Sequence, residues 1–251
     1  MSRTPTTMFD IQIAVAKTNK YATRESGDTV EVVERPHGGF SIVLVDGQGS
    51  GKAAKNLSHW VTTKAVSMIK DGARDGVVAR SAHDYLYTYR DGKVSATLVI
   101  LSVDLASHTL VISRNSHCSV LLARTEEKSI AEVEGSSTPI GIYPMTKPSV
   151  TEMPLENGML VVTYSDGLME AGERTGDRIN LISIIQEQME GEKLTARSLA
   201  DCLIAAALQR DANRPADDMA AVVMSIRVSE EVSPNTTMPQ VRSMTVYIPG
   251  A

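Results

Sequence analysis

The order of strand-like and helix-like segments is the feature that most constrains the fold of this chain. A block of strands leads to a pair of helices, and a second block leads to another pair before a last strand. Sheets and helices each carry an apolar face that must be buried against another layer. The order therefore predicts an α+β fold of four layers, αββα, in which two antiparallel sheets pack face to face and helices flank both.

Hydrophobic periodicity and turn residues give the bounds of these elements. Strands are predicted at residues 10 to 16, 28 to 35, 40 to 46, 95 to 104, 108 to 114, 118 to 124, 129 to 134, 149 to 154, 159 to 165 and 219 to 227. Helices are predicted after the glycine-rich loop that follows residue 46, with an apolar stripe from Leu57 to Ile69, and at 74 to 90, 178 to 190 and 195 to 210.

The chain has 251 residues, 42% of them hydrophobic and 22% charged, which is typical of a globular protein with one sizeable core. We expect one domain over residues 1–228 and a separate tail over 229–251. The tail begins with a polar, proline-bearing linker and ends in VRSMTVYIP, whose alternation is typical of a strand. That strand would extend a sheet edge or dock on a partner, so a homodimer formed through the tail is one expectation.

Charge and hydropathy argue against several classes of partner. A net charge of −5 with scattered basic residues is not expected of a nucleic-acid-binding protein. The apolar runs are too short to span a membrane, and the N-terminus lacks the apolar core of a signal peptide, so we expect a cytoplasmic protein with no membrane segment. Cys118 and Cys202 have neither disulfide nor zinc spacing, which predicts two buried, unreactive thiols.

The loop VLVDGQGSGKAA, residues 43 to 54, invites two interpretations. A strand, a glycine-rich turn and Gly-Lys at a helix start are typical of a phosphate-binding loop. The spacing contradicts that interpretation, because Asp46 stands where the first glycine is required and Ala53 stands where Ser or Thr is required. The other hypothesis is that Asp46 binds a metal ion, which needs carboxylates from elsewhere in the chain.

Four aspartates stand at predicted strand ends, each beside a glycine or a second aspartate: Asp28, Asp46, Asp166 and Asp217. Carboxylates that converge without a counter-charge repel one another strongly at partly buried sites. A hard divalent cation removes this repulsion, because Mg²⁺ and Mn²⁺ prefer oxygen ligands. Most Asp-Gly pairs simply form turns, and we assign Asp91-Gly92 to such a turn.

Three segments, in this order, resemble the signature segments of the metal-dependent PPM-type protein serine/threonine phosphatases. They are DGQGSGKAA from Asp46, SDGLMEAG from Ser165 and ADDMAAVV from Ala216. The segments SGD, SRNSHCSVLL and TPIG add to the resemblance, which is to the bacterial SpoIIE-like branch and covers about residues 9 to 228. It implies the αββα fold of that family and a protein phosphatase activity.

The resemblance also implies two Mn²⁺ or Mg²⁺ ions as cofactors. Asp46 would bridge both ions, and Asp28 and the carbonyl of Gly47 would complete the site of one of them. Asp166 and Asp217 would hold the other ion. In the family, a water shared between the ions attacks phosphorus and nothing covalent forms on the protein, so Asp46, Asp166 and Asp217 count as catalytic.

Two further acids are predicted to support these ligands. Asp218 would orient Asp217 or a bound water. Glu170 matches the acid that follows Asp-Gly-Leu in the family, and a solvated helix glutamate fits the pattern equally well. His117 falls within the family's strand segment, and a hydrogen-bonded histidine of the core or its rim is the simplest interpretation.

The implied substrate is phosphoserine or phosphothreonine on a bacterial signalling protein, either an anti-sigma-factor antagonist or a stressosome component. Because the sequence shows no sensor domain, a short, stand-alone stressosome phosphatase is one form of enzyme that the resemblance suggests. The alternative is a degenerate, non-catalytic phosphoprotein-binding module of the same fold, which retention of all four aspartates disfavours. An αββα hydrolase with an N-terminal nucleophile would need a maturation site, which Ser2 lacks.

Overall fold

The structure, a computed structural model, describes residues 9–133, 135–191 and 194–229. The extra strand and the dimer contact predicted for the tail lie outside these residues. Inside them, the elements agree closely with the sequence-based bounds.

Within the described ranges the strands are β1 (Phe9–Thr18), β2 (Asp28–Glu34), β3 (Phe40–Gly47), β4 (Ala96–Asp104), β5 (Thr109–Asn115), β6 (Leu121–Arg124), β7 (Ser129–Glu132), β8 (Ser149–Pro154), β9 (Met159–Tyr164) and β10 (Met219–Val228). The helices are α1 (Gly51–Lys70), α2 (Asp75–Arg90), the single turn α3 (Asp166–Met169), α4 (Leu181–Met189) and α5 (Ala196–Arg210), with a 3₁₀ turn at Glu173–Thr175.

The strands form two five-stranded antiparallel sheets. Sheet one has the order β1-β10-β9-β6-β7, and sheet two has the order β2-β3-β4-β5-β8. Helices α1 and α2 pack on the outer face of sheet two, and α4 and α5 pack on the outer face of sheet one. The predicted four-layer αββα fold is therefore confirmed.

Strand β9 shows how one strand serves two interfaces. All six of its residues are buried, because successive side chains point to opposite faces of the sheet and both faces are covered. Leu160 and Val162 pack with the α4 and α5 side, whereas Met159 and Val161 pack between the sheets. A continuous apolar run in this fold thus marks a central strand.

Helix α1 carries the predicted apolar stripe on the face toward sheet two, where Leu57, Val61, Ala65 and Ile69 are buried. Its other faces carry lysines, and no helix in the described part of the chain combines the length and apolar character needed to cross a membrane.

Strand β6 is shorter than predicted, beginning at residue 121 rather than 118. The main-chain N–H of Cys118 donates to the Ser116 hydroxyl at 3.0 Å, and this local bond bends the chain before the strand can start. The bend places His117 in an exposed turn instead of in the strand. Helix α4 likewise begins three residues late, because the Asn180 side chain accepts from the Ser183 N–H and caps the helix there.

Gly47 allows α1 to lie directly against the end of β3. A Cβ at this position would lie 2.4 Å from the carbonyl oxygen of Ala54 and 3.0 Å from the Ser58 nitrogen, both in the main chain of α1. Because main-chain atoms of a packed helix cannot move aside cheaply, the close approach requires glycine. This contact fixes the start of α1 beside the residue that follows Asp46.

We expect Gly47→Ala to lower the free energy of unfolding by about 1–3 kcal/mol through overpacking. Gly76, in the first turn of α2, is a matched control, because a Cβ there would meet nothing closer than a Val150 methyl at 3.7 Å. Gly76→Ala is expected to raise stability by up to about 1 kcal/mol. Urea titrations of both variants provide the measurement, and equal stability of the two would contradict the argument.

Candidate active site

Four strand ends bring the predicted acids to one edge of the sandwich. Asp28 opens β2 and is the register partner of Asp46 near the end of β3, so these two belong to one hairpin of sheet two. Asp166 follows β9 and Asp217 precedes β10, which are neighbours in sheet one. We call Asp28, Asp46, Asp166 and Asp217 the acidic cluster.

Ser165 joins the two halves of the acidic cluster. Its hydroxyl donates to Asp28 Oδ2 at 2.7 Å and accepts from the N–H of Ala220 at 2.9 Å. The Ser165 N–H also donates to the Ala220 carbonyl at 3.0 Å, which continues the pairing of β9 with β10. The end of sheet one is thereby tied to the start of β2 in sheet two.

Asp28 is fully buried, and its second oxygen, Oδ1, has no hydrogen-bond partner in the described structure. Burial raises its pKa to about 7, although the Ser165 hydrogen bond and Lys17 oppose that rise. Nearby Asp218 and Asp166 raise the pKa further. A buried carboxylate oxygen without a partner is costly, so this atom lacks a ligand that the folded protein is built to receive.

Asp46 has the highest pKa given for a residue of the acidic cluster. Burial, then repulsion from Asp28 and Asp166, raises the pKa of Asp46 to about 9. A hydrogen bond with the Asp166 carboxyl and the charge of Asp217 add to this rise. Asp46 therefore lies within electrostatic reach of the other three acids, as the bridging role implied by the family resemblance would require.

Asp217 is the more open member of the acidic cluster, with 42% of its side chain exposed. Its Oδ1 accepts from the N–H of Asp218 at 2.9 Å and lies 3.9 Å from Lys20 Nζ. Partial burial raises the pKa of Asp217, and the Asp218 N–H and Lys20 oppose that rise. This acid stands at the mouth of the site.

Asp218 is turned away from Asp217 and holds the loop between β1 and β2. Its Oδ1 accepts from the Lys20 N–H at 2.9 Å, and its Oδ2 accepts from the Gly27 N–H at 2.8 Å. Gly27 directly precedes Asp28, so the buried Asp218 carboxylate connects the start of β10 to the start of β2. The Asp218 carboxylate thus supports the loop that leads into Asp28, and the predicted role of orienting Asp217 or a bound water stays a prediction.

Gly167 lets α3 lie against the strand that carries Asp217. A Cβ on Gly167 would approach the Asp218 carbonyl oxygen to 2.1 Å and the Asp217 Cβ to 3.1 Å. The glycine after Asp166 is thus needed for the two acids of sheet one to come together.

Glu170 and His117 lie on the side of the cluster formed by Asp166. Glu170 is exposed at the C-terminal end of α3, and partial burial, followed by the charge of Asp166, raises its pKa. The Nε2 atom of His117 lies 3.7 Å from Asp166 Oδ2, with 46% of the histidine side chain exposed. His117 is therefore a rim residue of the site.

Two lysines behind Asp28 were missed by the sequence analysis. Lys17 Nζ, from β1, donates to the Asp28 carbonyl at 2.7 Å, and Lys55 Nζ, from α1, donates to the same carbonyl at 3.2 Å. Lys55 also donates to the Thr29 hydroxyl at 3.0 Å. Loss of hydration and the nearby Lys55 charge lower the pKa of Lys17. The sequence positions of Lys17 and Lys55 do not indicate that both lysines reach the Asp28 carbonyl.

The acidic cluster is suited to divalent cations that take only a few of their ligands from the protein and the others from water. Within the described ranges, no three Asp, Glu, His or Cys side chains stand close enough together to enclose an ion. Mg²⁺ is commonly bound through one or two carboxylates with water in the other positions, so pairs of carboxylates suffice. The unpartnered Asp28 oxygen is open to a ligand, and the raised pKa values of Asp28 and Asp46 indicate that their carboxylate forms are disfavoured unless a cation compensates them.

In metal-free protein, the free energy of unfolding is expected to fall as the pH rises from about 5 to about 9. The folded-state pKa values of Asp28 and Asp46 are raised to about 7 and about 9, so the folded state binds more protons than the unfolded chain over this interval. The loss should be at least about 1.4 kcal/mol, the equivalent of one pKa unit.

Urea titrations in EDTA across this pH range test that expectation. Asp46→Asn should flatten the dependence, whereas Asp91→Asn, at an exposed turn, should leave it unchanged. Stability that rises with pH in the wild-type protein would show that these carboxyls are not held in the protonated form.

Ser165→Ala should lower the free energy of unfolding by about 1.5–3 kcal/mol near pH 8, because the hydroxyl donates to a carboxylate that is fully buried. Ser67→Ala, on the exposed side of α1, is the control and should change stability by less than about 0.5 kcal/mol. Denaturant unfolding measures both, and a Ser165→Ala variant as stable as the control would mean that this bond does not join the sheets.

Comparison with known proteins identifies a family and agrees with the fold. The sequence model of the family described as Stage II sporulation protein E (SpoIIE) matches residues 36–227. The stage II sporulation protein E of Priestia megaterium is 19% identical over 228 residues, and that of Bacillus subtilis strain 168 is 22% identical over 222 residues. Each alignment covers 88% of this chain but only 37% and 26% of the two relatives. The chain thus spans roughly a quarter to a third of their length.

Solved structures show the same architecture. The PP2C phosphatase domain of SpoIIE from Bacillus subtilis, solved with a fragment of its regulatory domain, has a TM-score of 0.76 at 21% identity, covering 89% of this chain and 65% of that one. The RsbU and RsbW domains of Rv1364c from Mycobacterium tuberculosis give 0.70 at 21% identity, covering 87% and 62%. RsbX in complex with magnesium gives 0.65 at 14% identity, covering 88% and 99%.

The fold of this protein is that of the PP2C phosphatase domain of SpoIIE. The family model covers about three quarters of the chain. The chain therefore belongs to the SpoIIE family.

Proposed function

We propose that this protein is a metal-dependent phosphatase that hydrolyses phosphoserine or phosphothreonine in a phosphorylated regulatory protein. The observation that carries the proposal is the convergence of Asp28, Asp46, Asp166 and Asp217 from the ends of both sheets, in a member of the SpoIIE family. Burial and mutual repulsion disfavour the charged forms of Asp28 and Asp46 at neutral pH, and protons or cations relieve that penalty.

Two Mn²⁺ or Mg²⁺ ions are the proposed cofactors. Asp28, Asp46 and the Gly47 carbonyl would hold one ion, and Asp46, Asp166 and Asp217 would hold the other. When bound, such ions supply an acidified water and neutralise the charge of the phosphoryl oxygens. RsbX, a fold relative, was solved in complex with magnesium.

The chain's own residues hold this arrangement in place. Ser165 and the two lysines fix Asp28 from three directions, and Asp218 fixes the loop that leads into it. Because these bonds are already present, Asp28 needs little reorganisation when a cation arrives.

The hydroxyl and the thiol nearest the acidic cluster, those of Ser165 and Cys118, are poorly suited to covalent catalysis. The hydroxyl of Ser165 already donates to Asp28 and accepts from Ala220, so it is fully engaged. Burial, then the charge of Asp166, raises the pKa of the Cys118 thiol to about 12, which leaves almost no thiolate at neutral pH. Direct attack by water on phosphorus is therefore the proposed reaction.

The proposed substrate protein is a bacterial signalling phosphoprotein of the anti-sigma-factor antagonist or stressosome type. Support comes from membership of the SpoIIE family and from fold relatives that include an RsbU domain solved together with an RsbW domain. The acidic cluster would bind a phosphomonoester only through the cations that it holds, and this does not distinguish among carrier proteins.

Release of phosphate from a phosphoserine peptide tests the proposal. Activity is expected with Mn²⁺ and should disappear in EDTA. Asp46→Asn should reduce kcat/KM at least about a hundredfold, or about 2.7 kcal/mol, because the carboxylate with the most acid neighbours is lost. Asp91→Asn makes the same chemical change at an exposed Asp-Gly turn and should retain full activity.

Two outcomes would contradict the proposal. Turnover that survives EDTA would exclude a metal-dependent reaction. Stabilisation by Mn²⁺ with no turnover on any phosphoserine or phosphothreonine peptide would instead indicate the non-catalytic binding module.

A further inference from the structure

Lys20 lies at the exposed side of the acidic cluster, next to Asp217, and its ammonium group has one weak ion-pair partner there. Its Nζ lies 3.9 Å from Asp217 Oδ1, and no other acid of the described chain lies within ion-pair distance. The side chains of Lys20 and Asp217 are 37% and 42% exposed, so their attraction is weak. The ammonium can thus change partners at low cost.

The main chain of Lys20, in contrast, is firmly anchored. Its N–H donates to Asp218 Oδ1 at 2.9 Å, and its carbonyl accepts from the N–H of Thr23 at 3.1 Å and from the Thr23 hydroxyl at 2.8 Å. The next residue, Tyr21, donates its N–H to the Pro215 carbonyl at 2.9 Å. An anchored main chain and an exposed ammonium group suit a residue that binds a ligand, because little conformational freedom is lost on binding.

The other lysines of the site are committed elsewhere. Lys17 and Lys55 both donate to the Asp28 carbonyl, at 2.7 and 3.2 Å. Arg214 lies on the same rim as Lys20, but its guanidinium sits over the Tyr21 ring, 5.5 Å from the ring centre. Of these four cations, Lys20 is therefore the one best placed to meet an anion that enters beside Asp217.

We propose that Lys20 binds the phosphoryl oxygens of the phosphomonoester substrate once a divalent cation has taken over the charge of Asp217. This inference rests on the proposed function, because it assigns the same site a substrate-binding residue. In the metal-free protein Lys20 serves as a weak counter-ion of Asp217, and in the loaded protein it is released toward the substrate. The ligand class is a phosphomonoester dianion or inorganic phosphate, the reaction product.

The two roles predict effects of opposite sign for one substitution. Lys20→Met removes a competing cation from Asp217, so Mn²⁺ affinity should stay the same or tighten by up to about fivefold. It also removes a charge-assisted donor to phosphate, so phosphate affinity should weaken about tenfold or more. A lysine that merely held the loop would give losses in both affinities.

Calorimetric titration of the full chain measures both affinities, first with Mn²⁺ alone and then with inorganic phosphate added to Mn²⁺-loaded protein. Lys20→Arg keeps the charge and should bind phosphate within about threefold of wild type. Arg214→Met removes a cation from the same rim and should change phosphate affinity by less than about twofold. Folding is protected in Lys20→Met, because the anchoring bonds are made by main-chain atoms.

Phosphate affinity that is unchanged in Lys20→Met, or that falls together with Mn²⁺ affinity, would overturn the inference. So would equal losses of phosphate affinity in Lys20→Met and Arg214→Met, since these would indicate general attraction by the rim. Failure of the proposed function is separate, since a wild-type protein that binds Mn²⁺ and phosphate through Lys20 but releases no phosphate from peptides would contradict only the catalytic proposal.

Discussion

Mutual repulsion among the four aspartates of the acidic cluster is the constraint on which the rest of the site depends. Burial alone would penalise each carboxylate, and proximity compounds the penalty, as the pKa of about 9 at Asp46 shows. The fold tolerates this because strong local bonds hold the carboxylates where they are. The acidic cluster therefore lowers the stability of this edge of the sandwich and favours the binding of protons or cations there.

The bonds that hold the cluster come from several layers of the fold. Ser165 reaches Asp28 from sheet one, Lys55 reaches the Asp28 carbonyl from α1, and Asp218 holds the N–H of Gly27. Gly47 and Gly167 allow the backbone to pass close enough for these bonds to form. Cation binding, helix packing and the contact between the sheets are consequently parts of one arrangement.

The sequence predicted the fold well because periodicity and turn residues report burial directly, as at β9 and α1. It also predicted which strand ends carry acids. It could not show Ser165, Lys17 or Lys55 in their roles, because these contacts depend on how two sheets and a helix are juxtaposed. The start of β6 was predicted three residues early for a related reason, since the hydrogen bond from the Cys118 N–H to the Ser116 hydroxyl overrides the apolar pattern there.

The pairing of Asp28 with Asp46 in one hairpin has a mechanical consequence. These two acids belong to sheet two, whereas Asp166 and Asp217 lie at the ends of neighbouring strands of sheet one. The hydrogen bond from Ser165 to Asp28 connects the two pairs. Any slip of one sheet over the other would leave each pair intact but alter the separation between pairs. The packing of side chains between the two sheets therefore determines the distance between the two pairs of aspartates.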